Sequence, residues 1–187
     1  MAETLKVYMA RVFSAIDIED EKLRDELIDV RDRIDLGFNP VSNDRMHLTL
    51  QFFKDINEEE IEKLKAAMDN VKKESFEATM KGVGCFPSRD YIRVVWAGFE
   101  EEEDIRELYL QLSQHDVKPD NSYRFKPHVT LMRVNDVGSE EKKKLQRTVR
   151  EFEDHVFGEM EIDKIKLYRS ELVEGGSRYT ELYSREI

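Results

Sequence analysis

Two of the four histidines in the chain open near-identical strings, His47-Leu48-Thr49-Leu50 and His128-Val129-Thr130-Leu131. In an extended strand, residues i and i+2 share one face. His47 and Thr49 therefore point one way while Leu48 and Leu50 point the other. His128 and Thr130 stand in the same relation to Val129 and Leu131. Each string offers one imidazole and one hydroxyl on a single face, with an apolar face for anchoring. A lone histidine on a strand is ordinarily a satisfied polar residue. A second copy with the same spacing weakens that explanation, although duplication can also copy a structural motif.

Paired imidazoles suit general acid–base chemistry. Each titrates near neutral pH, so one can act protonated and the other neutral. Hydroxyls beside them can donate to the non-bridging oxygens of a phosphate held between them. Two such groups on opposite sides of a phosphorus permit in-line displacement. One removes a proton from the attacking oxygen, and the other gives a proton to the leaving oxygen. A metal site would want a third close ligand. Neither string contains an acid, and His115 and His155 have no similar surroundings, so neither a metal nor any other cofactor is expected. No Gly-x-Ser-x-Gly elbow supports a nucleophilic serine. Cys85, after Gly82 and Gly84, reads as a small buried residue near a hairpin.

Both motif segments are basic. Residues 45–54 carry Arg45 and Lys54, residues 124–133 carry Arg124, Lys126 and Arg133, and neither stretch has an acid. Arg45, Lys126 and Arg133 are thus candidate substrate contacts beside the phosphate-binding pair Thr49 and Thr130. By strict alternation Arg133 falls on the face opposite His128, so its contact needs a bulge, a strand end or a long reach. Phe86 and Phe125 can stack on a base or belong to the core.

The elements that must position these groups follow from apolar spacing. Leu23, Leu27, Val30 and Ile34 predict one helix. Ile61, Leu64, Met68 and Val71 predict a second, with Asn57 as N-cap and Glu60 three residues on. Ile105, Leu108 and Leu112 predict a third, entered through the acidic run 100–104. Leu145, Val149 and Phe152 predict a fourth, capped by Ser139. Strands are expected over residues 7–16, 47–53 and 128–134. Hairpins are expected over 76–98 and 162–184. Strand, helix, strand, helix, hairpin appears twice, apart from a missing first strand in the second copy. This predicts an α+β protein, residues 1–187 as a single domain. It has two pseudo-symmetric lobes with one H-x-T-x motif each, built as two antiparallel sheets backed by helices.

Composition bounds the function. The chain has 187 residues, 30 Lys+Arg and 41 Asp+Glu, for a net charge of −11, and 38% of its residues are charged. That acidity argues against a general nucleic-acid coat but leaves room for a local anion site. One Cys excludes a disulfide framework. No 18-residue apolar run suggests a membrane span. The N-terminal stretch lacks the features of a signal peptide, so a cytoplasmic location is expected.

With these residues in view, the chain resembles the two-histidine phosphoesterase superfamily. More closely, it resembles the bacterial and archaeal RNA 2′,3′-cyclic phosphodiesterases, also labelled 2′-5′ RNA ligases. The resemblance runs from the opening strand Arg11-Val12-Phe13-Ser14-Ala15-Ile16-Asp17 through both H-x-T-x motifs. It takes in Gly84-Cys85-Phe86-Pro87, the Phe125-Lys126-Pro127-His128 lead and Leu167-Tyr168-Arg169-Ser170. Two departures stand out. Gln51-Phe52-Phe53-Lys54 occupies a place where the family usually has Lys, Phe, Leu, Gly. Asn43-Asp44-Arg45-Met46 replaces a more usual Pro-Glu-Asn-Leu.

The resemblance implies a two-lobed α+β fold with a central cleft and one motif on each wall, His47 as proton donor and His128 as proton acceptor. The implied reaction opens a terminal 2′,3′-cyclic phosphate to a 2′-phosphomonoester with water as nucleophile. Ligation to a 2′-5′ linkage is the related transfer to an RNA hydroxyl, without ATP. The implied partner is RNA with a cyclic-phosphate end, tRNA fragments included, and the implied state is a monomer. The alternatives are a phosphodiesterase for small cyclic nucleotides or ADP-ribose cyclic phosphate, and a non-catalytic module that captures RNA ends.

Overall fold

The computed structural model describes residues 9–34, 37–120, 125–135, 138–174 and 176–187. Arg124 lies outside the described residues. The helices are α1 (Glu21–Ile34), α2 (Glu58–Asp69), α3 (Glu103–Leu112) and α4 (Ser139–Glu151). Each buries its predicted apolar stripe, except that Val71 is buried just past the end of α2 and Phe152 is the half-buried C-cap of α4. The start of α2 is a capping box. Asn57 Oδ1 accepts from the Glu60 N–H (3.0 Å), and Glu60 Oε2 accepts from the Asn57 N–H (2.8 Å), which satisfies two donors that the helix itself leaves open. In α4 the expected cap shifts by one residue. Gly138 is the N-cap, its N–H donates to Glu141 Oε2 (2.8 Å), and Ser139 is already helical.

The strands are β1 (Ala10–Asp17), β2 (Asn39–Pro40), β3 (His47–Ile56), β4 (Phe76–Ser88), β5 (Tyr91–Phe99), β6 (Val129–Arg133), β7 (Val156–Ile162), β8 (Lys164–Val173) and β9 (Gly176–Glu186). They run β7-β4-β5-β6-β3-β1-β8-β9, with β2 paired to β6. All pairings are antiparallel. This is the expected α+β class. The two half-sheets meet at a single register pair, Leu48 with Val129. Both residues are fully buried, so the apolar partners of the two histidines form the seam between the walls.

Two features go beyond the sequence reading. Strand β7 precedes the last hairpin. Its alternation is broken by Gly158 at φ +144° and by a register shift against β4, which is why the period-2 pattern does not announce it. The hairpins also sit across from the copies that precede them. The β4–β5 hairpin, which follows α2, joins β6 in the second half-sheet. The β8–β9 hairpin, which follows α4, pairs with β1 in the first. Among the described residues, no helix is long and apolar enough to cross a membrane.

Candidate active site

The motif strands carry matching bulges. In β3, Thr49 lies opposite Ala15 and Gln51 opposite Ser14, so Leu50 is an extra residue. In β6, Thr130 lies opposite Trp96 and Met132 opposite Val95, so Leu131 is extra. A bulge resets the alternation of faces. Leu50 and Gln51 are both buried, as are Leu131 and Met132. Phe52 and Arg133 therefore return to the face of the histidines. The bulge that Arg133 required is present, and the exposed guanidinium sits near enough to act electrostatically on both imidazoles. The same reset removes Gln51 from the cleft. Its Nε2 donates to Ser113 Oγ at the end of α3 (3.1 Å), and its Oε1 faces His115 Nε2 (3.5 Å). This departure from the family pattern therefore serves the helix layer.

The two imidazoles are held alike. His47 Nδ1 meets the carbonyl of Arg45 (2.8 Å), and His128 Nδ1 meets the carbonyl of Lys126 (2.7 Å). A carbonyl only accepts, so each Nδ1 carries the hydrogen and each Nε2 presents a lone pair when the ring is neutral. Aromatic rings fix the planes. Phe13 stacks on His47 at 5.0 Å, and Tyr179 meets its edge at 5.7 Å. Phe86 is edge-on to His128 at 5.0 Å, with Trp96 at 6.1 Å. Glycine makes room for the indole, because a Cβ on Gly84 would stand 2.3 Å from its ring.

Burial pulls both histidines below the ordinary imidazole range, and the hydrogen bonds to backbone carbonyls partly oppose it. Beyond that, their surroundings differ. Asp17, the register partner of His47, favours the protonated ring there, against the charges of His128 and Arg133. Among the described residues, no carboxylate acts in this way on His128. The charges of Lys126 and Arg133 both disfavour its protonation. Asp17 is itself held by Lys166 Nζ (2.8 Å) and the Tyr168 hydroxyl (2.7 Å). Burial and the bond to Asp17 push the Tyr168 phenol well above its usual range.

The remaining candidates divide. Arg45 ends a short 3₁₀ turn and lies over the Tyr179 ring at 6.0 Å. It lines, with Asp17, Arg178, Tyr179 and His47, a cavity of about 520 Å³. Lys126 places its ammonium 5.2 Å from the Trp96 ring centre, yet donates to Glu102 (2.9 Å), which balances its charge. Phe125 turns toward α3, where its ring stacks on Tyr109 at 4.1 Å and its carbonyl accepts from Arg106 (2.6 Å). Sequence reasoning did not single out Phe13, Asp17, Trp96 or Tyr179 as site residues. Their position within the strands that flank the motifs was the available signal. Among the described residues, no group of three or more His, Cys, Asp or Glu side chains is arranged to hold a metal ion.

Twin histidine–threonine walls under one arginine, on a two-lobed antiparallel α+β fold, define a two-histidine phosphoesterase. The model of the family described as "LigT like Phosphoesterase" matches residues 16–96 and 100–179, and the chain belongs to that family. It is 33% identical over 181 residues to an RNA 2′,3′-cyclic phosphodiesterase of Methanothermobacter thermautotrophicus, covering 92% of this chain and 96% of the relative. It is 31% identical over 181 residues to the protein of the same name from Thermotoga maritima, covering 92% and 93%. Among solved structures, a Thermus thermophilus protein superposes with a TM-score of 0.72 at 26% identity, covering 94% of this chain and 97% of that one. The fold is also that of E. coli LigT complexed with 3′-AMP, with a TM-score of 0.73 at 23% identity, covering 96% and 99%.

Proposed function

We propose that the protein hydrolyses the 2′,3′-cyclic phosphate at the end of an RNA to a 2′-phosphomonoester, by general acid–base catalysis without a metal ion. The observation that carries this reading is the unequal field on two otherwise matched imidazoles. Asp17 beside His47 favours the ring that must give a proton. Lys126 beside His128 favours the ring that must take one, while Arg133 acts on both.

Neutral His128 accepts, at Nε2, a proton from the attacking water as its oxygen bonds to phosphorus. The bond from phosphorus to the ribose 3′ oxygen breaks, and His47 Nε2–H protonates that oxygen. Thr49 and Thr130 donate to the non-bridging oxygens, and Arg133 balances the charge that builds on them. The cycle ends with His128 protonated and His47 neutral, and exchange with solvent restores the starting forms. An RNA hydroxyl in place of water gives 2′-5′ ligation by the same proton transfers. Both walls come from one chain, which fits a monomer, and the mirrored bulges favour a single domain with two pseudo-symmetric lobes. A cytoplasmic enzyme acting on cyclic-ended RNA, tRNA fragments among them, accords with this chemistry.

The test is incubation with a cyclic-ended oligonucleotide and with 2′,3′-cyclic AMP in excess EDTA. The expected product is the 2′-phosphate at an undiminished rate. Loss of turnover in EDTA with recovery on adding zinc or magnesium would overturn the mechanism. Tight capture without turnover would favour an RNA-end binding module.

A further inference from the structure

The face that carries His47 continues along the strand beyond Thr49. Phe52 is on that face because of the bulge at Leu50, and it is the register partner of Phe13, which stacks on His47. Arg11 shares the Phe13 face of β1. Its guanidinium carbon lies 5.5 Å from the centre of the Phe52 ring, and Lys54 Nζ lies 5.9 Å from the same centre. Phe52 is anchored through its backbone, since its carbonyl accepts from the Asp120 N–H (2.8 Å).

Among the described residues, no carboxylate lies within 4.0 Å of the Arg11 or Lys54 head group, and the buried Arg11 Nε has no partner. Elsewhere in this acidic chain cations are widely paired, as in Lys73 with Asp104 and Glu107, Lys126 with Glu102, and Lys166 with Asp17 and Glu19. A half-buried aromatic ring flanked by two cations that no described carboxylate pairs, on the face of the histidine and threonine, is the chemistry that binds single-stranded nucleic acid by stacking and backbone neutralisation. Thr49 to Phe52 spans about 10 Å at strand spacing, a reach of two or three stacked nucleotides at about 3.4 Å each.

We propose that Arg11, Phe52 and Lys54 form a subsite for the nucleotides on the 5′ side of the cyclic-phosphate end. This makes short single-stranded RNA, rather than a mononucleotide, the preferred substrate. The proposal rests on reading the cleft as the site of that cyclic phosphate. A base stacks on Phe52, and its flanking phosphates meet Arg11 and Lys54.

Two readouts test it on the full chain. The first is the affinity of 5′-labelled RNAs of one, three and six nucleotides ending in 2′-phosphate, followed by fluorescence anisotropy over a salt series. The second is kcat/KM for the same lengths with cyclic ends. The trinucleotide should exceed the mononucleotide by roughly 5- to 150-fold, the range for one stacked base. Phe52→Leu should collapse that ratio. Lys54→Gly and Arg11→Gln should each reduce it and make the salt slope shallower by about 0.7. If Phe52→Leu does not fold, as judged by its thermal melt, the two charge variants carry the test.

Equal affinity for all three lengths, or a length preference that survives in the charge variants, would overturn the subsite. Hydrolysis of cyclic ends without length preference removes the subsite and leaves the catalytic reading standing. A length preference that the variants abolish, without hydrolysis of any cyclic end, does the reverse.

Discussion

Replacing Asp17 with asparagine tests which imidazole gives the proton. The side chain keeps its shape, and its carbonyl oxygen can still accept from the Tyr168 hydroxyl and Lys166, so the fold should persist. What disappears is one negative charge beside His47. Asp17 and His47 are register partners across β1 and β3, which puts the carboxylate about 6 Å from the imidazole centre at usual cross-strand spacing. At that distance the attraction is about 2.8 kcal/mol at an effective dielectric of 20 and about 0.7 kcal/mol in bulk water. Asp17 is 29% exposed, so its contribution falls between these limits. Without that attraction the His47 pKa should drop, and the protonated form loses the same roughly 0.7–2.8 kcal/mol.

The consequence for rate follows from the protonation states required. Far above both pKa values, kcat/KM is proportional to the fraction of His47 still protonated. Far below both, it is proportional to the fraction of His128 still neutral. Asp17→Asn should thus lower kcat/KM on the alkaline limb by roughly 3- to 100-fold and leave the acid limb unchanged. The assay is the pH–rate profile of a cyclic-ended oligonucleotide from pH 4 to 9. A gain on the acid limb with an unchanged alkaline limb would mean that His47 is the base, and the assignment of roles would be reversed.

Both imidazoles lie below the ordinary range in the free protein, so the bell-shaped kcat/KM profile should peak below about pH 6.5. An apex above pH 7 would contradict the burial of the pair. His47→Ala and His128→Ala should each reduce turnover by roughly 10²- to 10⁴-fold, and the double variant should lose less than the product of the two. Thr49→Ala and Thr130→Ala should each cost less, about 5- to 150-fold, as one hydrogen-bond donor is lost. Steady-state kinetics on purified, folded variants check both sets. Gly84→Ala forces a methyl within 2.3 Å of the Trp96 ring and should cost about 1–3 kcal/mol, read as a lower urea midpoint.

The histidines, the threonines and the four helices were legible because their patterns are local. An i, i+2 pair marks a strand face, and steps of three and four mark a helix. The places where reading failed are those where a neighbouring strand decides. Gln51 and Arg133 exchange faces relative to strict alternation because Leu50 and Leu131 bulge against β1 and β5. A bulge is a property of two strands, so one strand's residues do not declare it. Asp17 acquires its role from the register of β1 against β3. Tyr179 reaches His47 only because the last hairpin pairs with β1. Lys126 and Phe125 looked available beside the motif, but α3 and the residue before it supply Tyr109 and Glu102 to occupy them.

The exchange of hairpins has a consequence for how the protein is made. Apart from the two-residue β2, the strands of the second half-sheet, β4, β5, β6 and β7, lie between Phe76 and Ile162, one uninterrupted stretch. The first half-sheet joins β1 and β3 to β8 and β9, the opposite end of the chain. As the polypeptide leaves the ribosome, the later-made half can close first. The earlier-made β1 must wait with one edge unpaired until residue 164 and beyond emerge. Long-range pairing of this kind is slow, and a waiting edge strand is open to the wrong partner. The wall that holds His47 is thus begun first in synthesis and finished last.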